Sequence, residues 1–113
     1  TDEANAHVDY KEMITQSGAE DIIYSSLFTG VWGNYLRGSV ENAGMDPNNL
    51  PQADASSMNF SAGSSKPKAW KTVWGSGQGI GPIKSVEPTA ALVDRIVKEY
   101  EIAGNQMILN LKK

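Results

Sequence analysis

The chain has 113 residues, enough for one small domain that buries a core of its own. Its 40% apolar and 20% charged residues are ordinary for a soluble globular protein, and ten basic against thirteen acidic residues leave a net charge of -3. That balance argues against nucleic acid, which selects a basic stripe. The absence of cysteine excludes a disulfide framework and a thiolate metal site, and it agrees with a cytoplasmic setting. No apolar run approaches the ~20 residues of a membrane span. The chain opens Thr1-Asp2-Glu3, without signal peptide or initiator methionine, so the start is expected to be processed or preceded by further sequence.

Residues 2–16 read as a helix, with Asp2 as N-cap, Glu3 in the first turn, and an apolar stripe through Val8, Tyr10, Met13 and Ile14. Ser17-Gly18 stops it. Residues 19–25 then read as a strand, and the unalternating Ile22-Ile23-Tyr24 suits a strand hidden on both faces. Helix, glycine turn and buried strand make an αβ unit of the kind found in parallel sheets. After a loop at residues 27–30, residues 31–43 have Trp32, Tyr35, Leu36 and Val40 at helical spacing, with Gly33 and Gly38 weakening the pattern and Gly44 ending it.

Residues 48–68 form a polar stretch longer than the ~15 residues usual for structureless loops, and read as a functional arm, an interface segment or simply a mobile excursion. A short aromatic, amphipathic turn (69–74) and a glycine-dense loop (75–81) follow. Ser85 is the expected cap of a last helix over residues 87–103, whose face Leu92, Val93, Ile96, Val97 and Tyr100 is the clearest periodic signal in the chain. Gly104 and Asn105 are expected to end or interrupt it. The organisation is thus helix–strand–helix over residues 1–47, a long polar loop, and a glycine-rich loop with a helix over residues 69–113.

His7, the sole histidine, has the residue type of a general base but sits on a polar helix face without a clustered partner, so it reads as surface. One histidine also rules out a three-histidine metal site, and no G-x-S-x-G elbow is present. Asp2, Glu3, Asp9 and Glu12 read as a solvated helix face. No catalytic or metal-ligating residue is therefore assigned. The loop Gly75-Ser76-Gly77-Gln78-Gly79-Ile80-Gly81 fits neither a dinucleotide fingerprint nor a phosphate loop, but its glycines permit close backbone approach to a flat ligand. Trp70 and Trp74, four apart, are expected to share a face. Ser25, Ser26 and Thr29 follow the strand, where α/β proteins carry ligand sites, or they serve the turn alone.

Residues Leu27-Phe28-Thr29-Gly30, Gly44-Met45-Asp46-Pro47, the string Ala69-Trp70-Lys71-Thr72-Val73-Trp74-Gly75-Ser76-Gly77-Gln78-Gly79-Ile80-Gly81, and Ala90-Ala91-Leu92-Val93 together resemble the C-terminal portion of the nitronate monooxygenases (2-nitropropane dioxygenase-like proteins). The resemblance runs from Asp2 to about Tyr100, and the tryptophan-to-glycine string is its specific part. It implies an α/β fold, the C-terminal part of an FMN-binding (β/α)8 TIM barrel. Within this chain that part is mainly helical, with one short parallel-type strand near residues 21–24. It implies an FMN-dependent oxidoreductase that oxidises alkyl nitronates with O2, active in the full-length parent. The family's flavin phosphate loops and histidine base would lie upstream, and His7 does not match that base. Ser76, Gly77, Gln78 and Gly79 carry over as cofactor-binding candidates. A bare strand and helix face would drive self-association or binding to the missing N-terminal part. Two other readings remain open: a non-catalytic helical interaction module of barrel ancestry using Trp32, Trp70 or the long loop, and a related flavin-dependent enoyl reductase.

Overall fold

A computed structural model describes residues 1–52 and 72–112. The first helix, α1, spans Val8–Gln16. It starts six residues later than the expected range, because His7 and not Asp2 is the cap: His7 Nδ1 accepts a hydrogen bond from the Asp9 amide at 3.3 Å. At the other end Gly18 donates to Asp21 Oδ2 at 2.8 Å and accepts from the Asp21 amide, which folds Ala19–Asp21 into one 3-10 turn. That local bonding takes the first residues of the expected strand, so β1 is confined to Ile22–Ser25.

Strand β1 pairs with β2, Gly33–Leu36, in an antiparallel register that sets Ile23 opposite Tyr35 and Ser25 opposite Gly33. Two expectations are corrected here. The helix read over residues 31–43 is a loop, a strand and a short helix, α2, over Arg37–Asn42. The strand partner among the described residues is antiparallel, and β1 is covered on one face alone: Ile23 and Ser25 point inward while Tyr24 is 66% exposed. A left-handed glycine reverses the chain after α2, with Gly44 at φ +79°.

The core lies where the sheet meets α2. Ile23, Tyr35, Val40 and Val73 form its buried cluster, flanked by Phe28, Ala43, Met45 and Leu50. Phe28 meets Tyr35 edge to face at 4.7 Å. Leu36, Ser39 and Val40 are fully enclosed.

The last helix, α3, spans Thr89–Leu111. Its N-cap is Pro88, not Ser85, and it runs through Gly104 and Asn105, since one glycine costs a helix only ~1 kcal/mol and Gln, Met and Leu favour continuation. Arg95 ties the first turns together, bonding Glu87 at 2.8 Å and Glu99 at 3.0 Å. No residue of α3 is buried. Among the described residues no helix is long and apolar enough to cross a membrane.

Candidate functional site

The glycine-dense segment is held as a strip against the free edge of β2. Leu36 donates its amide to Trp74 O at 2.8 Å, Ser76 donates to Asn34 O at 3.2 Å, and Gly75 bridges Tyr35 in antiparallel sense. The strip thus adds a single β-bridge at the edge of the two-stranded sheet. A buried hydroxyl fixes its start: Ser39 Oγ donates to Leu36 O at 2.8 Å and accepts from the Trp74 amide at 3.0 Å. From the opposite side Tyr10 of α1 donates its hydroxyl to Gly75 O at 2.6 Å. The Trp74 indole packs near two rings from the start of α1, with Tyr10 at 5.4 Å and His7 at 6.4 Å.

Val73 anchors one end of the strip in the core, and the other end closes in a 3-10 turn, Gln78–Ile80, with Ile80 buried and the turn packed on Ala19–Asp21. Between these anchors Ser76 is half-buried and Gly77, Gln78 and Gly79 are exposed. The four candidates therefore share one surface ridge. A Cβ placed on Gly77 or Gly79 would meet no atom within 4 Å, and neither has a positive φ. The chain's own packing does not demand glycine at either position, and the backbone there is open to a flat ligand.

The other sequence-derived candidates separate from this ridge. Ser25 and Ser26 are buried and line a cleft of about 230 Å³ with Tyr24, Trp32, Asn48 and Pro51, on the β1 side of the sheet. The rings of Tyr24 and Trp32 stack there at 4.9 Å. Ser25 Oγ accepts from the Leu27 amide at 3.1 Å, and Thr29 Oγ1 bonds Val31 O at 3.0 Å, so both hydroxyls serve the turn. Trp70 lies outside the described residues, and with it the expectation that it shares a face with Trp74.

Three residues that position the strip were not singled out for it: His7, Tyr10 and Ser39. Tyr10 reads from sequence as part of the α1 stripe and His7 as surface; Ser39's role in the strip has no local signal, because the Trp74 amide it accepts from is 35 residues away. Among the described residues no group of His, Asp and Glu is arranged to hold a metal ion. Among the described residues the two shifted ionisations lie elsewhere: Glu87 and then Glu99 raise that of Arg95, and that of Glu3 is lowered at the start of α3. Compared with protein-family models, curated proteins and solved structures, the chain matches none.

Proposed function

We propose that this chain is the C-terminal portion of an FMN-dependent oxidoreductase of the nitronate monooxygenase type, active on alkyl nitronates and O2 in the full-length parent. The string from Ala69 to Gly81 carries the reading. Its support in the structure is the use made of the described part: Val73 and Ile80 tie it down while the backbone of Gly77 and Gly79 stays open. A flat ring system approaches such a strip closely because no side chain intervenes. Amides beside a flavin also stabilise negative charge on the ring. Ser76, Gly77, Gln78 and Gly79 fit this contact with one edge of the cofactor. Phosphate anchoring and proton abstraction belong to residues outside this chain, and FMN when bound supplies the redox chemistry between nitronate and O2.

The test compares two proteins. The full-length parent is expected to retain flavin through gel filtration and to consume O2 on addition of an alkyl nitronate. The 113-residue chain is expected to leave FMN fluorescence unquenched. A colourless parent, inert toward nitronates, sinks the reading.

A further inference from the structure

We infer that α3 is a self-recognition helix that pairs antiparallel with α3 of a second copy of this chain. None of its 23 residues is buried, and all but Leu92 and Arg95 are exposed. Val93, Ile96, Val97, Tyr100, Met107 and Leu111, all exposed, fall within one sector of the helix and so form one stripe. Ala103 and Gly104 lie on the same stripe. The opposite face carries Arg95 and Lys98, with Ile102 and Leu109 standing among polar positions.

The stripe is self-complementary in one direction. With two copies antiparallel and centred on Tyr100, Ile96 and Val97 come level with Gly104 and Ala103, so large side chains meet small ones. Val93 comes level with Met107, and Tyr100 meets its own counterpart. Charge agrees with this direction. Over residues 89–112 Asp94, Glu99 and Glu101 balance Arg95, Lys98 and Lys112, so two helices do not repel as wholes. Lys112 of one copy comes level with Pro88 of the other, beside the exposed carboxylates of Asp2 and Glu3. Antiparallel helix dipoles add to the match. A helix of this length is about 34 Å long, and two such stripes bury an area at the low end of specific interfaces, so the pairing is expected in the micromolar range, ~1–50 µM.

This proposal needs only α3: association of the 113-residue chain tests it, whereas flavin retention and nitronate turnover test the flavoenzyme reading. Sedimentation velocity on the 113-residue chain from about 1 to 300 µM is expected to show a monomer–dimer equilibrium. Val97→Glu and Tyr100→Glu are each expected to weaken it at least ~10-fold, and Ile102→Glu to leave it unchanged. These positions are exposed in the monomer, so far-UV circular dichroism of each variant should match the native chain. Because the chain has no cysteine, direction is read by cross-linking: under mild oxidation Val93→Cys and Met107→Cys chains are expected to form disulfide dimers when mixed and not alone. A monomer throughout the range overturns the proposal. So does association indifferent to Val97→Glu, a trimer or larger species, or cross-linking of each variant with itself. A monomeric chain whose α3 instead captures an upstream part of its own parent, supplied in trans, also overturns it.

Discussion

Glu3 closes the amino end of α3: its carboxylate accepts hydrogen bonds from the Thr89 amide at 2.9 and 3.1 Å and from the Thr89 hydroxyl at 2.8 Å. Pro88 at the N-cap has no side-chain acceptor, so Glu3, 86 positions before Thr89, performs the capping. Beside it the Asp2 amide donates to Glu87 O at 3.1 Å. The segment before α1 is thereby the strap that holds α3.

The strap has a pH signature. The backbone amide of Glu3 itself, then the Thr89 hydroxyl and the Thr89 amide, hold the Glu3 carboxyl below the usual carboxylate range. A lowered folded-state value means that folding favours the charged form. The contribution is therefore complete above the carboxyl's unfolded value and disappears as pH falls through the folded one. Glu3→Ala is expected to lower the urea midpoint at neutral pH, and the gap from the native chain is expected to close in strong acid. A gap of the same size under both conditions shows that the carboxylate is not the cap.

Leu36→Ala tests the core. Leu36 is completely enclosed beside Val40 and Ser39, and truncating such a side chain costs ~2–5 kcal/mol. Against a total stability of ~5–15 kcal/mol for a domain, that loss brings the chain close to unfolding at body temperature. Chemical denaturation measures it, and a cost below ~1 kcal/mol would place Leu36 outside the core.

Ser39→Ala tests the hinge of the strip. The substitution leaves the Trp74 amide without its acceptor inside the protein, a loss of ~1–3 kcal/mol. Hydrogen exchange at Trp74 and Ser76 is expected to quicken more than exchange in α1. Uniform quickening would mean that the hydroxyl supports the whole domain and not this edge.

The glycines divide into two kinds by the same measurement. Gly44 sits at φ +79°, where a side chain is strained, so Gly44→Ala is expected to cost about 1 kcal/mol. Gly79→Ala meets open space and is expected to leave stability unchanged within ~0.5 kcal/mol while loosening flavin in the full-length parent. Flavin retention identical to the native protein removes Gly79 from the cofactor contact.

The parts legible in the sequence are those governed by local chemistry. Ile22 and Ile23 announce β1, Gly44 marks the chain reversal after α2, and the Leu92-to-Tyr100 periodicity announces α3; Gly18, suited by its residue type to a left-handed helix stop, is extended, because its amide and carbonyl are both taken by Asp21. What stayed hidden is set by distant partners. Tyr35 and Leu36 keep helical spacing with Trp32 and Val40, yet they extend as a strand because β1 on one side and Trp74 on the other take their backbone bonds. The candidate ridge was legible as glycine-dense and close to a ligand-permitting backbone. Its anchoring by Tyr10 and Ser39 was not, since each acts across a long stretch of chain.

The pairing of Glu3 with Thr89 and of Tyr10 with Gly75 also fixes the order in which the molecule is completed during synthesis. Chains emerge amino end first, and domains close when their last partners appear. The strap and α1 leave the ribosome before either partner exists, so the bonds of Tyr10 to Gly75 and of Glu3 to Thr89 close only after those partners have emerged. Until Thr89 emerges, Glu3 has no amide to cap, and the strap stays open to proteases or to any chaperone that receives it.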